Sequence, residues 1–187
     1  WYDNSNWKKQ DGSFNDVGTE HTWFGIDVVN NRVETIDLAY NDLAGPLPSS
    51  IGNFTQLKNL VLYWNYIDGS LPTQLGNLTL LEYMDFDWNE LTGPIPTELG
   101  NLTNLQELWL NDNFLSGGIP AEFGSLTNLQ YLFLWNSELD GTIPAEIGNM
   151  TNLNYCLLYW NDLTGTIPEE FGNCTQMLYL DLDGNSL

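Results

Sequence analysis

Aromatic and acidic side chains recur at fixed intervals in this sequence, and they are the residues best suited to bind another molecule. They recur within a 24-residue unit, and we number each place in the unit by its distance from the first residue, so that position 2 lies two residues after it. One set of these side chains stands at positions 2, 4, 6 and 7. Tryptophan and tyrosine dominate the energetics of protein interfaces, and carboxylates attract basic partners. We therefore predict a ligand-binding surface made of these side chains: Tyr63, Trp64, Tyr83, Asp85, Asp87, Trp88, Trp109, Asp112, Tyr131, Phe133, Trp135, Tyr155, Tyr159, Trp160 and Tyr179.

Two kinds of ligand fit such a surface. A protein would use the rings as anchors and the carboxylates as the complement of a basic patch. A polysaccharide would stack its sugar faces on the rings, because neighbouring strands lie about 4.8 Å apart, close to the length of one sugar ring. The third interpretation is that the rings pack only against one another. Strand alternation predicts that Trp64, Trp88, Trp109, Trp135 and Trp160 are at least partly exposed on one surface.

No catalytic arrangement stands out among these residues. The sequence contains no G-x-S-x-G, no H-E-x-x-H and no phosphate-binding loop, and His21 is its one histidine. Paired carboxylates are abundant, but glycoside hydrolysis needs two at a defined separation in a cleft. We therefore predict that the protein is not an enzyme and needs no cofactor.

Four oxygen-bearing side chains on two neighbouring units are candidate ligands for calcium: Asp85, Asp87, Asn111 and Asp112. Calcium takes six to eight oxygens, supplied by carboxylates, carbonyls and water. The alternative is that these groups are simply solvated beside a turn. The sequence holds no other set of residues that we interpret as a metal site.

The charge of the chain excludes two classes of partner. It carries 25 acidic residues against 4 basic ones, a net charge of −21, and Lys58 is the last base. Phosphate-mediated binding of nucleic acid is excluded, because nothing after Lys58 displaces counterions. An anionic membrane surface is a poor partner for the same reason. No apolar run approaches the roughly 18 residues of a membrane span and no signal peptide is present, so we expect a fragment of a longer protein that does not insert into a bilayer.

A 24-residue unit repeats from Val33 onward, with the pattern L-x-x-L-x-L-x-x-N-x-L-x-G-x-[IL]-P-x-x-[LIF]-G-[NS]-x-T-x. The alternating leucines predict a short strand with an inward face, and the proline predicts the start of a helical turn. The asparagine predicts a buried amide that bonds backbone groups where the chain leaves the strand. One coil cannot bury its own apolar face, so the coils must stack. Copies begin at Val33, Leu57, Leu81, Leu105, Leu129 and Leu153, and a partial copy begins at Met177.

This pattern is that of the leucine-rich repeat. Its L-x-G-x-[IL]-P segment resembles the plant type found in polygalacturonase-inhibiting proteins and receptor-kinase ectodomains. The resemblance covers residues 33–187, as six full repeats and a partial seventh. It implies a right-handed α/β solenoid with a parallel sheet on the concave face and short 3₁₀ or helical turns on the convex face.

Residues 1–32 do not repeat and resemble the N-terminal cap of the same family. The segment HTWFGIDV matches the cap motif C-x-W-x-G-[VI]-x-C at its tryptophan and glycine, while His21 and Val28 stand where the two cysteines usually are. The resemblance therefore implies a truncated cap that lacks the usual disulfide. We expect such a cap to be held by the packing of Trp7, Trp23 and Phe24.

The resemblance implies a recognition or adhesion module at the cell surface or outside the cell, and it favours a protein ligand. Two other functions stay open. The first is a structural building block, in which solenoids join end to end. The second is ice binding, which needs a flat array of small polar residues; the threonine at position 22 recurs regularly, but the tryptophan-rich face is not such an array.

Two further features concern covalent chemistry. Cys156 and Cys174 take leucine-type positions of one repeat, where they fit as small hydrophobic residues, and a disulfide between them is the alternative. Sequons recur at position 20 and would carry glycans in a secreted protein, unless Gly-Asn-x-Thr serves only the repeat itself. The five candidate glycosylation sites are Asn53, Asn77, Asn101, Asn149 and Asn173.

Overall fold

The computed structural model describes residues 25–30 and 32–187, so the cap residues Trp7, Trp23 and Phe24 lie outside the described residues. Within those ranges each full repeat forms one or two short strands followed by one 3₁₀ turn. The strands are β1 (Ile26–Val29), β2 (Arg32–Asp37), β3 (Ala44–Pro46), β4 (Asn59–Val61), β5 (Tyr66–Gly69), β6 (Tyr83–Asp85), β7 (Glu90–Pro94), β8 (Glu107–Trp109), β9 (Phe114–Gly117), β10 (Tyr131–Phe133), β11 (Glu138–Leu139), β12 (Tyr155–Leu157) and β13 (Tyr179–Asp181).

Eight of the described strands form the main sheet, in the order β1-β2-β4-β6-β8-β10-β12-β13. β1 runs antiparallel to β2, and every later pair is parallel and offset by one repeat, as in Tyr83 opposite Glu107 and Asp85 opposite Trp109. Successive side chains of a strand point to opposite faces, so positions 3 and 5 enter the core while positions 2 and 4 face outward. The predicted solenoid of 24-residue repeats with a parallel sheet is confirmed.

A second parallel sheet, β3-β5-β7-β9-β11, was not among the predictions. Its strands begin just after the asparagine of the repeat. In the sequence, the glycine of this segment indicates a bend and not a strand, so the sheet could not be predicted. The pairing is sheared relative to the main sheet, because Ala44 lies opposite Tyr66 and Asp68 lies opposite Glu90. Residues 22 apart are therefore neighbours here, instead of residues 24 apart.

Six 3₁₀ turns of five residues each close the described coils on the side away from the main sheet. Each turn begins after the proline of position 15, whose fixed φ suits the start of a helical turn. The glycine of position 19 serves close packing between coils: a Cβ on Gly100 would lie 2.6 Å from the carbonyl oxygen of Glu122. The turns are Ser49–Asn53, Thr73–Asn77, Thr97–Asn101, Ala121–Ser125, Ala145–Asn149 and Glu169–Asn173.

Leucine-type residues of all the coils merge into one continuous core, and both cysteines belong to it. The disulfide alternative for Cys156 and Cys174 is wrong, because both are free thiols. Cys156 is fully enclosed in β12, whereas the Sγ of Cys174 points to the carbonyl oxygen of Ile147 at 3.6 Å. Burial raises the pKa of both thiols, so the two residues act as small hydrophobic side chains.

The asparagine of position 8 forms a buried ladder that ties each coil to the one before it. The Nδ2 of Asn89 donates to the carbonyls of Leu62, Phe86 and Asp87 at 3.0–3.1 Å. Its Oδ1 accepts the N–H of Ile67 at 3.0 Å. Equivalent bonds are made by Asn65, Asn113, Asn161 and Asn185.

Ser137 interrupts this ladder. Its Oγ is buried and has no hydrogen-bond partner among the described residues. The second sheet ends at the same coil, where its last strand, β11, has only two residues. In the later described coils this second sheet continues only as the isolated bridges Thr142–Thr164 and Thr164–Ser186. A hydroxyl is too short to reproduce the bonds of an amide.

A pair of substitutions tests the ladder. Asn89→Ala should lower the free energy of unfolding by about 3 kcal/mol, because it leaves the buried N–H of Ile67 without an acceptor and removes one of the two hydrogen bonds at three carbonyls. Ser137→Asn should raise the free energy of unfolding by about 1 kcal/mol, because it restores those bonds in the coil that lacks them. Urea unfolding followed by circular dichroism measures both changes. Unchanged or lowered stability of Ser137→Asn, at unaltered secondary structure, would contradict this account of the ladder.

Candidate functional site

The predicted exposure of the five tryptophans is confirmed, but they fall into two groups and do not share the one surface that was predicted. Trp109 and Trp135 are partly exposed on the outer face of the main sheet. Trp64, Trp88 and Trp160 are 47%, 49% and 60% exposed at position 7, where the chain leaves the sheet. We call the outward side chains of positions 2, 4 and 6 the sheet face. The sheet face comprises Tyr63, Tyr83, Asp85, Asp87, Trp109, Tyr131, Phe133, Trp135, Tyr155, Tyr159 and Tyr179 from the predicted set. The predicted exposure of Phe133 is wrong, because its ring is buried against Trp109 and Trp135.

Position 7 takes a left-handed backbone conformation in six coils, with φ between 49° and 55°. Bulky residues rarely adopt this conformation, which costs roughly 1–2 kcal/mol. Hydrogen bonds between coils hold it, as in the N–H of Trp64 to the carbonyl of Asp87 at 3.0 Å. The turn directs the side chain of position 7 away from the sheet face. The residues concerned are Tyr40, Trp64, Trp88, Asp112, Asn136 and Trp160.

Many of the rings stack on the equivalent ring of the next coil. Trp64 and Trp88 have ring centroids 4.8 Å apart at 20° between planes. The pairs Trp135–Tyr159 and Tyr131–Tyr155 lie 5.4 Å apart at 9° and 8°. The neighbouring ring covers one face of each stacked ring, so a ligand meets the edge and the remaining face. The interpretation that the rings pack against their own neighbours is therefore correct for these pairs, although their edges stay accessible.

Asp85 and Asp87 form a close acidic pair at the centre of the sheet face. Asp85 is only 5% exposed, and its Oδ2 accepts the hydroxyl of Tyr83 at 2.9 Å. Its Oδ1 accepts the backbone N–H of Asp87 at 3.2 Å. The short strand β6 and the turn after it bring the two carboxyls together, since residues two apart in an extended strand share a face.

Burial raises the pKa of Asp87 to about 7, and the negative charge of Asp85 adds to the increase. Burial also raises the pKa of Asp85, although the N–H of Asp87 and the hydroxyl of Tyr83 stabilise its charged form. The Oδ1 of Asp87 is buried and accepts no hydrogen bond, an arrangement that a protonated carboxyl tolerates better than a carboxylate. The two groups titrate together, and near neutral pH the pair holds a proton.

The calcium prediction is wrong in its geometry. Both carboxylate oxygens of Asp112 accept amide hydrogen bonds, from Asn111 at 2.8 Å and from Asn136 at 2.6 Å. Asp85 is buried against Tyr83 and does not converge with Asp112 on a common point. Within residues 25–30 and 32–187, no three His, Cys, Asp or Glu side chains are placed to hold a metal ion.

A groove of about 640 Å³ runs along the side of the solenoid, and we call it the side groove. Its floor is the asparagine ladder, including Asn65, Asn89 and Asn113. Position 7 forms one wall and position 9 forms the other. The sequence prediction missed the second wall, although its alternation of acids and aromatics is visible when the repeats are aligned. The two walls are Tyr40, Trp64, Trp88, Asp112 and Asn136, and Asp42, Tyr66, Glu90, Phe114 and Glu138.

The five sequon asparagines are all exposed at the ends of the 3₁₀ turns, on the opposite side from the sheet face. Ser125 is exposed at the equivalent place in the coil that has no sequon. Among the described residues, no helix has the length and apolar character needed to cross a bilayer.

The acidic pair makes stability depend on pH. The pKa of Asp87 is higher in the folded than in the unfolded state, so the folded state binds more protons between about pH 4 and about pH 7. Stability should fall as pH rises through this window. Asp87→Asn should raise the melting temperature by several degrees at pH 8 and change it little at pH 4. Asp183→Asn, at the same position in an exposed site, is the control and should have no effect at either pH. Equal shifts at both pH values would contradict the burial of a protonated pair.

Family profiles match most of the chain. The profile described as Leucine Rich Repeat matches residues 32–54, 56–78, 80–102 and 152–174. The profile described as Leucine Rich repeats (2 copies) matches residues 103–145. Among curated protein sequences, none matches the chain.

Several solved structures share the fold. The plant peptide hormone receptor RGFR1, in complex with RGF2, is 40% identical over 77% of this chain and 23% of that chain, with a TM-score of 0.76. The LRR ectodomain of the receptor kinase GASSHO1/SCHENGEN3 from Arabidopsis thaliana, in complex with CASPARIAN STRIP INTEGRITY FACTOR 2, is 32% identical over 95% of this chain and 27% of that chain, with a TM-score of 0.71. A plant ice-binding protein is 24% identical over 88% of this chain and 62% of that chain, with a TM-score of 0.72, which shows a shared fold alone.

This chain thus spans only 23% and 27% of the two receptors to which it is similar. The profiles cover repeats from residue 32 to residue 174, and the structure shows those repeats stacked around one leucine-rich core. The chain belongs to the leucine-rich repeat family.

Proposed function

We propose that this chain is a non-enzymatic recognition module that binds a protein or peptide ligand outside the cell, through the sheet face and the side groove. The observation that carries the proposal is the concentration of large, exposed aromatic residues in adjoining columns. Soluble proteins rarely expose such contiguous apolar surface unless it binds something. Tryptophan and tyrosine are also the residues that most often anchor a protein partner.

The charge of this surface indicates that the ligand is basic. Among the described residues the one ion pair is Lys58–Glu34, at 2.7 Å. No base follows Lys58, so the coils from Leu105 onward carry carboxylates and no basic residue. A ligand rich in Lys or Arg would neutralise them and would be attracted from a distance.

Two observations favour a protein over a polysaccharide. Sugars stack on the faces of aromatic rings, but in the pairs Trp64–Trp88 and Trp135–Tyr159 one face of each ring is covered by the other. Ring edges carry partial positive charge and suit the carbonyl oxygens and apolar side chains of a protein. The similar receptor RGFR1 was solved in complex with RGF2 and is described as a peptide hormone receptor.

Panning a random-peptide phage library on the purified chain tests this proposal. Enriched peptides should be basic, and the double substitution Trp64→Ala, Trp88→Ala should weaken their binding about tenfold or more. Leu80→Ala removes an exposed apolar side chain outside both surfaces and is the control. Circular dichroism and melting temperatures show that each variant is folded. Peptides that bind the double variant as well as the wild type, or specific binding on a glycan array without any peptide binding, would contradict a protein ligand.

The proposed extracellular location predicts glycosylation at the sequons. Secretion from a eukaryotic host should give a chain whose mass falls on treatment with an N-glycosidase, because the five asparagines are exposed. Replacing all five by glutamine should abolish that change. Ser125→Asn in the replaced chain adds one acceptor at the equivalent exposed site and should restore a single glycan. A mass that the N-glycosidase never changes would contradict this prediction.

A further inference from the structure

The wall of the side groove at position 9 alternates strictly between acidic and aromatic residues. Asp42, Glu90 and Glu138 are exposed carboxylates, and Tyr66 and Phe114 between them are 55% and 51% exposed. All five line the same groove. In the adjoining column the rings of Trp64 and Trp88, one coil apart, have centroids 4.8 Å apart. Two acidic residues of this wall are two coils apart, so they recur about every 10 Å, and so do the two aromatic residues.

The backbone N–H groups on the floor of the groove are bonded to neighbouring coils. The N–H of Tyr66 donates to the carbonyl of Leu43 at 2.7 Å, and the N–H of Asn65 donates to the carbonyl of Trp88 at 3.2 Å. The side-chain amides of the ladder are bonded on both their oxygen and their nitrogen, as in Asn89. A strand cannot be added here, because strand addition needs free N–H groups as well as carbonyls. A ligand is therefore held mainly by side chains.

The charged groups available in the groove are the carboxylates of position 9. Asp112 also lines it, but both of its oxygens accept amide hydrogen bonds. Among residues 25–30 and 32–187, no Lys, Arg or His lines the groove, and no cation from this part of the chain faces Asp42, Glu90 and Glu138 there. These carboxylates and the two aromatic side chains between them set the chemical pattern that a ligand has to match.

We propose that the side groove binds a basic polyproline II segment with Lys or Arg at every third residue. A polyproline II helix has three residues per turn and a pitch of about 9.3 Å, so its residues i and i+3 lie on one face at close to the spacing of the carboxylates. A β-strand puts residues i and i+3 on opposite faces and fails to match. The basic side chains pair with Asp42, Glu90 and Glu138, and the prolines between them pack against Tyr66 and Phe114.

A polyproline II ligand also suits a floor whose N–H groups are already bonded. Its own backbone forms no internal hydrogen bonds and stays solvated, so it needs no N–H partner from the floor. Grooves lined by aromatic residues are the usual recognition sites for such segments. This inference rests on the proposed recognition function and names the class of ligand that this part of the surface takes.

Fluorescence anisotropy with labelled, capped peptides tests the inference on the whole chain. The probe is a peptide of about four Pro-Pro-Arg triplets, long enough to pass all three carboxylates. A Gly-Gly-Arg peptide of equal length keeps the charge and spacing without the polyproline II conformation, and a Pro-Pro-Glu peptide reverses the charge. We expect the first peptide to bind on the order of tenfold more tightly than the second, and the third not to bind.

Matched variants locate the site. Glu90→Gln with Glu138→Gln should raise the Kd of the Pro-Pro-Arg peptide on the order of tenfold, and so should Phe114→Ala. Glu122→Gln with Glu146→Gln removes two exposed carboxylates from the 3₁₀ turns and should change the Kd less than about twofold. Leu80→Ala, which removes an exposed apolar side chain outside the groove, is the control for the aromatic substitution.

Any of four results would overturn the inference. Equal binding of the Gly-Gly-Arg peptide would show that charge alone is recognised, and an equal effect of the Glu122 and Glu146 substitutions would show that the side groove is not the site. If the Pro-Pro-Arg peptide does not bind while phage-selected peptides bind in a Trp64- and Trp88-dependent way, the inference fails and the recognition function stands. If neither kind of peptide binds, both fail.

Discussion

A buried amide at position 8 bonds the backbone of its own turn and the backbone of the preceding coil. In a solenoid without long helices, this amide supplies partners for groups that burial would otherwise leave unpaired, as Asn89 does for the N–H of Ile67 and the carbonyl of Leu62. The leucine core supplies most of the apolar burial, but it does not fix where the chain turns. The ladder determines the path of the chain between the two sheets, and Ser137 shows that the second sheet weakens where the amide is missing.

The surface chemistry follows from that path. Because the turn beside the ladder forces a left-handed conformation at position 7, Trp64 and Trp88 point away from the sheet face and become one wall of a groove. Stacking between coils then covers one face of each of these rings and leaves its edge accessible. Neighbouring coils thus hold these tryptophan side chains in place before any ligand arrives. The binding of a ligand therefore costs little of their side-chain entropy.

The excess of acidic residues has a different consequence inside the sheet face and at its edge. Asp85 and Asp87 are enclosed by their neighbours, and burial keeps a proton on the pair near neutral pH. The carboxylates of position 9 are exposed toward the groove. The same residue type therefore forms a partly protonated pair in one column and a contact for a basic ligand in another, according to its solvation.

The repeat, the stacking of coils, the leucine core and the exposure of the tryptophans could all be predicted from the sequence, because each of these depends on a periodicity within one chain segment. The tertiary structure decided what depends on contacts between coils: the second sheet, the free thiols of Cys156 and Cys174, the engagement of Asp112 by two amides, and the groove at position 9. In the second sheet Ala44 pairs with Tyr66, two residues away from the repeat offset. A periodic sequence reports which way a side chain faces in its own coil, but this shear between coils arises only when the coils pack together.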